Sequence, residues 1–232
     1  MDNQHKGDPQ YEDFIETMRQ RKPMSMGLMT SWGWYDDPRR MAFLLSRYKF
    51  VAKMLEGCNA VLEIGCGDGF GSRVVAQTVG FLTGVDIEPA FIASAAEQEC
   101  GRFSVRFMVH DVVAAPLNEH FDAIYSLDVL EHIHPDKEDR FLANMIASLT
   151  DQGPCIIGMP SLESQAHASH YSRMGHVNCK EQPAFKKLMQ KYFYNVFMFS
   201  MNDEIVHTGF SKMSHYNIAL CCGKKSPSTG NG

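Results

Sequence analysis

The sequence predicts an α/β protein: a doubly wound, seven-stranded, mostly parallel sheet whose last strand runs antiparallel, preceded by an N-terminal segment with helix-compatible pieces. Three observations carry that prediction. Seven short apolar runs recur along the 232 residues, and helix-like segments separate most of them. The runs are apolar at consecutive rather than alternate positions, as in strands buried on both faces of a parallel sheet. The segment VLEIGCGDGFG, residues 61–71, passes from a strand through Gly65, Gly67, Gly69 and Gly71 toward a helix. Such a strand, glycine turn and helix form the first half of a nucleotide site, with backbone amides facing the ligand.

The elements follow in order. Residues 1–35 are irregular with helix-compatible pieces. Pro38 suits the first turn of a helix reaching about residue 55, because Phe43, Leu44, Tyr48, Val51 and Leu55 recur on one face. A strand is expected over 60–64, a helix over 72–79, a strand over 81–85, a helix over 89–98 and a strand over 105–109. A strand over 121–127, a helix over 137–149, a strand over 154–159 and a helix over 181–192 come next. The last two strands, 196–200 and 216–222, have no helix between them, so the connection 201–214 reads as a hairpin that reverses the final strand. The tail, 224–232, is made of Lys, Ser, Pro, Gly and Asn and is expected to be disordered.

Composition narrows the function. The length suits one domain with accessory segments. Net charge is -5 and the pI about 6.0, with basic residues only in pairs such as Arg39-Arg40 and Lys186-Lys187, so no stripe matches a nucleic-acid backbone. No apolar run approaches the roughly 18 residues of a membrane span, and the N-terminal residues are too polar for a signal peptide. A cytoplasmic protein without a membrane or nucleic-acid partner, monomeric or homodimeric, is expected. Seven cysteines, an odd number without a CxxC pair, read as reduced thiols rather than a disulfide framework or zinc ribbon. The glycine register also excludes a dinucleotide: the sixth position from Gly65 is Phe70 and from Gly67 is Ser72, where that fingerprint needs glycine.

Glu63-Ile-Gly65-Cys-Gly67-Asp-Gly69, the acidic end of the second strand at Asp86, His110-Asp111-Val112 after the third, and SLDVLEHI over 126–133 together resemble the class I S-adenosylmethionine-dependent methyltransferases. The likeness is strongest to the small-molecule branch that includes the ubiquinone-biosynthesis O-methyltransferases, and it covers residues 51–160 best. It implies the class I fold, S-adenosyl-L-methionine as cofactor and S-adenosyl-L-homocysteine as product. It places Asp86 on the ribose hydroxyls, with capping of the next helix as the competing role. It places Asp111 and the Val112 amide on adenine, with a solvated loop acid as the competitor. Glu63, Gly65, Cys66 and Gly67 would frame the amino acid end of the cofactor, with Arg47 either reaching its carboxylate from the preceding helix or lying as an exposed arginine on that helix. Ile87 and Leu127 complete the implied cofactor contacts. Residues 1–36 would act as a lid, with Trp32 and Trp34 either closing the site or packing the first long helix, and residues 37–223 form the catalytic domain.

The acceptor side is read from chemistry. Methyl transfer is an in-line displacement that depends on positioning, and a hydroxyl acceptor needs its proton removed, which suits a neutral imidazole. His132 after the fourth strand is the first choice of base, with His176 and His207 second. Asp128, Glu131 and His132 could also hold a divalent cation, a pattern similar to the EXXEH of the ubiquinone-type enzymes with Asp in the first place. The preferred reading is without metal: Asp128 capping the turn and Glu131 holding a loop amide. The expected acceptor is a small polar metabolite or sugar, selected by the loops 161–180 and 201–214. An amine acceptor and a cofactor-binding protein without catalysis are the alternatives.

Overall fold

Every residue of the strand at Ala123–Leu127 is buried, as are four of the five at Ala60–Ile64, because helices cover both faces of the sheet there. The computed structural model describes residues 8–21, 24–98 and 101–226. Its strands are β1 (Ala60–Ile64), β2 (Phe81–Asp86), β3 (Val105–Val109), β4 (Ala123–Leu127), β5 (Cys155–Pro160), β6 (Phe193–Asn202), β7 (Ile205–His207) and β8 (Tyr216–Lys224). They form one sheet in the order β3-β2-β1-β4-β5-β8-β6-β7. The first five pair in parallel. The last strand, β8, inserts antiparallel between β5 and β6, as the hairpin argument requires.

The sheet has eight strands where seven were expected. The addition is β7, three residues inside the 201–214 connection, which folds back on β6 through the two-residue turn Asp203-Glu204. Asp203 has a φ of 49°, the left-handed conformation that a tight hairpin turn requires. Also, β3 is not buried on both faces: as an edge strand it alternates half-buried and exposed positions.

Successive residues of β1 point to opposite sides, so Val61 joins one core and Leu62 the other. The Val61 side packs α3 (Arg40–Met54) and α4 (Ser72–Ala76) through Tyr48, Val51 and Val75; the Leu62 side packs α6 (Glu138–Ala147) and α8 (Gln182–Met189) through Phe141, Met145 and Phe185. The α4 helix stops three residues before the expected end. The Thr78 hydroxyl there donates to the Ala52 and Val75 carbonyls and turns the chain toward β2. The remaining helices are α1 (Glu12–Gln20), α2 (Leu28–Asp36), α5 (Pro89–Glu97) and α7 (His170–Gly175). Among the cysteines, Cys66, Cys155 and Cys221 are buried and Cys58, Cys179 and Cys222 half-buried, all as free thiols, while Cys100 lies outside the described residues. Lys224 ends β8 rather than opening the tail, and residues 227–232 lie outside the described residues. No helix among the described residues is long and apolar enough to cross a membrane.

Candidate functional site

The loops leaving the carboxyl ends of β1 to β4 hold most of the residues singled out above, at the place where open α/β sheets bind ligands. Gly65, Gly67 and Gly69 have φ of 81°, 53° and 71°, a backbone shape that other residues adopt only with strain. Space is equally tight. A β-carbon at Gly65 would run into Val129 Cγ2, and one at Gly67 would lie 2.6 Å from Met29 Cε. The glycine loop is therefore packed against both the turn after β4 and the N-terminal segment.

Asp86 ties this loop to the next. Its Oδ2 accepts the Gly67 amide at 2.9 Å and its Oδ1 the Glu88 amide at 2.9 Å. The N-cap of α5 is Glu88, whose carboxylate accepts the Ala90 amide at 3.2 Å, so Asp86 does not fill the capping role. A carboxylate offers about four lone-pair positions, which leaves Asp86 able to accept from ligand hydroxyls as well. Asp111 accepts the Val113 amide on Oδ1 at 2.8 Å, and its Oδ2 has no hydrogen bond among the described residues. Ile87, 65% exposed, stands beside Asp86, while Cys66, Val112 and Leu127 are buried. Burial and the charge of Glu63 push the Cys66 thiol far up, which keeps it unreactive.

Glu63 is a buried carboxyl beneath the loop. Tyr48 Oη donates to its Oε1 at 2.8 Å, whereas Oε2 has no partner. Burial raises its pKa from 4.5 to about 6, against the opposing influence of the hydroxyls of Ser72, Tyr48 and Tyr125. Nearby, Asp68 is buried and accepts the Thr30 amide at 2.7 Å and the Thr30 hydroxyl at 2.9 Å, which fastens the start of α2 to the glycine loop. Trp32 and Trp34, 61% and 50% exposed, do not pack the core.

The second part of the site follows β4. Asp128 has a φ of 58°, and its carboxylate accepts from Arg47 Nη1 with both oxygens at 2.8 Å. The Arg47 guanidinium lies 3.8 Å over the Tyr216 ring. Arg47 is thus not an exposed helix arginine; it holds the turn that β4 leads into. Val129, not Asp128, occupies the N-cap of the short turn Leu130–His132, so the expected cap is absent. It is the backbone carbonyl of Glu131 that accepts loop amides, those of Val177 at 2.8 Å and Asn178 at 3.0 Å. The Glu131 side chain is buried with neither oxygen hydrogen-bonded, and burial together with the charge of Asp128 pushes its pKa well up.

His132 and His176 meet edge to face, their ring centroids 5.1 Å apart. His132 Nδ1 donates to the Gly175 carbonyl at 2.9 Å and His176 Nδ1 to Gln165 Oε1 at 2.9 Å. Each ring's proton therefore sits on Nδ1 and each Nε2 carries a free lone pair. Burial and the neighbouring ring lower the pKa of His176, which keeps it neutral. One donor atom from each of Glu131, His132 and His176 lies within 4.8 Å of the others. This set differs from the one expected: Asp128 is engaged by Arg47, and His176 comes in from the 161–180 connection. His207 goes elsewhere, its Nε2 to Asn202 Oδ1 at 2.8 Å and its Nδ1 to the Gly209 amide at 2.9 Å. His134 pairs with Asp136 at 2.5 Å on the exposed side.

Sequence reasoning missed Tyr48, which read as one more apolar-face residue, and the Asp68–Thr30 link, which has no local pattern.

Residues 61–153 match a family model described as a methyltransferase domain. The 2-methyl-6-phytyl-1,4-hydroquinone methyltransferase of Synechocystis sp. is 32% identical over 112 residues, which are 44% of this chain and 35% of that protein. The ubiquinone biosynthesis O-methyltransferase of Pseudomonas fluorescens is 34% identical over 103 residues, 43% of this chain and 41% of the relative. The chain thus spans less than half the length of these curated relatives. Among solved structures, N-methyltransferase NodS from Bradyrhizobium japonicum in complex with S-adenosyl-L-homocysteine superposes with a TM-score of 0.60 at 18% identity, over 93% of this chain and 99% of that one, a likeness of fold.

Proposed function

Because residues 61–153 are a methyltransferase domain of the class I S-adenosylmethionine-dependent kind, we propose that the chain transfers the methyl group of S-adenosylmethionine to a hydroxyl of a small polar metabolite or sugar. The observation that carries the oxygen acceptor is the Glu131–His132–His176 cluster, which the connections after β4 and β5 bring together. A free amine would need only positioning and would leave that cluster without a task.

The residues present fit the cofactor. Asp86 and Asp111 keep free acceptor positions for ribose and adenine, and the left-handed glycines admit close approach of a ligand to the backbone. Glu63, buried under the loop, supplies negative charge for a cationic amino acid end. When bound, S-adenosylmethionine supplies an electrophilic methyl on a sulfonium. The segment 1–36 acts as a lid, fastened where Thr30 is held by Asp68 and Met29 rests on Gly67.

At the acceptor side, His132 Nε2 is a lone pair fixed by its Nδ1 bond and can take a hydroxyl proton. The same three residues form a donor set for a divalent cation, which would lower the acceptor's pKa. A buried carboxyl needs a proton or a positive partner, and at Glu131 the raised pKa supplies the first and a bound cation would supply the second.

Labelled S-adenosylmethionine and a panel of hydroxyl and amine acceptors test the reading. A methylated hydroxyl product that disappears with His132→Ala is expected; methylation of amines alone, indifferent to that substitution, contradicts it. Loss of turnover in EDTA, restored by magnesium or zinc, assigns the cation; turnover indifferent to EDTA assigns His132 as the base.

A further inference from the structure

The turn after β4 does not by itself aim either imidazole of the cluster. His132 Nδ1 donates to the Gly175 carbonyl and His176 Nδ1 to Gln165, and both acceptors belong to the 161–180 connection. The fit is close, since a β-carbon at Gly175 would stand 3.1 Å from His132 Nδ1. Where the connection lies therefore decides where both rings point. Its two ends are joined to each other, the Leu162 amide donating to the Lys180 carbonyl at 3.1 Å. Residues 177–180 then tie it to the β4 turn, because the Val177 and Asn178 amides donate to the Glu131 carbonyl.

Behind those amides, three side chains close a triangle. Asn178, 6% exposed, donates through Nδ2 to Glu138 Oε2 at 2.7 Å and accepts on Oδ1 from Lys180 Nζ at 2.9 Å. Lys180 Nζ pairs with the same Glu138 oxygen at 2.7 Å, the least exposed ion pair among the described residues. Glu138 opens α6 inside the matched span 61–153, whereas Asn178 and Lys180 lie beyond it. The triangle thus joins the methyltransferase domain to the connection that carries His176. Replacing a buried ion pair by apolar residues is often neutral or stabilising, and the best-attested use of such a pair is to fix one register among several. We propose that Asn178, Lys180 and Glu138 are positioning residues for methyl transfer, which act through the two histidines by holding Gly175 and His176 in the register that aims both rings. This inference rests on the methyl-transfer reading above.

Long-range proton–nitrogen NMR spectra of the full chain test it, because they read which nitrogen of each imidazole carries the proton. In wild type His132 and His176 should both show the Nδ1–H pattern, each assigned by its own His→Gln substitution. Asn178→Asp sets a second carboxylate against Glu138. It should turn both rings to the averaged pattern of a mobile imidazole, and lower turnover of whichever panel acceptor is methylated about ten- to a hundredfold at unchanged KM for S-adenosylmethionine. Adding Glu138→Gln exchanges amide and carboxylate, rebuilds the triangle at the same net charge, and should restore both readings. Asn178→Leu, which removes the hydrogen bonds without adding charge, should move both rings as Asn178→Asp does and serves if that variant does not fold. Asp139→Asn, the next position on α6, bonded instead to Lys191 and Tyr192, should leave both readings as in wild type. Wild-type histidine patterns in the folded Asn178 variants, or a loss that the added Glu138→Gln does not restore, would overturn the proposal. Calorimetry of S-adenosylhomocysteine on wild type tells the two readings apart: failure to bind sinks methyl transfer, whereas binding with unmoved histidines in the variants sinks the positioning role alone.

Discussion

The loops after β1 to β3 and the loops after β4 hold their functional groups by different means. In the first region the backbone does most of the work: Gly65, Gly67 and Gly69 in left-handed conformations, with Asp86 bonded to amides within two residues of itself and across the neighbouring strand. In the second, side chains distant in sequence converge: Glu131 and His132 with His176, Arg47 with Asp128. A backbone site tolerates few residue types at each position, whereas a side-chain site can be rebuilt for another acceptor while the sheet stays the same.

Substitutions should separate the two regions, and the largest effect belongs to the first. Gly65→Ala combines a positive φ with a clash on Val129 and should cost about 2–4 kcal/mol in chemical denaturation, along with the binding of S-adenosylhomocysteine. Glu131→Gln should leave that binding intact and lower turnover about a hundredfold, measured with labelled methyl donor and saturating acceptor. Equal damage to both would mean that the regions are not separable.

Next in size is a pH effect beneath the glycine loop. Glu63 has a pKa of about 6 when folded and 4.5 when free, so the folded chain holds this proton more tightly than the unfolded one. Its contribution to stability is therefore full below about pH 4.5 and lost as pH rises through about 6, a difference of about 2 kcal/mol. Glu63→Gln should remove that decline from denaturation curves taken between these pH values, and a variant that parallels wild type would contradict it. The smallest effect is expected at the lid. Asp68→Ala frees the Thr30 amide and hydroxyl and should cost about 1–2 kcal/mol, with a changed tryptophan fluorescence from Trp32 and Trp34 on cofactor binding.

The same contrast decides what could be read from the chain. The succession of strands and helices, the reversal of β8 and the placement of Gly65, Asp86 and Asp111 at strand ends follow from local patterns, because each depends on residues close in sequence. β7 escaped because three residues are too few to show a period. The role of Arg47 depended on Asp128, 81 residues away, and on a left-handed φ that no local pattern announces. His176 could be named as a candidate, but not as the neighbour of His132, since that contact needs the 161–180 connection to fold back over the β4 turn. His207 was chosen for lying in a loop after a strand, and β7 draws it away instead.

The division between donor and acceptor regions rests on one calorimetric series: S-adenosylhomocysteine titrated into wild type, Asp86→Ala, Glu131→Gln and His132→Ala. Wild type should bind, Asp86→Ala should bind about ten- to a hundredfold more weakly, and the other two should bind as wild type does. Weakening by Glu131→Gln or His132→Ala as large as that by Asp86→Ala, or wild type that prefers NADH, would contradict it.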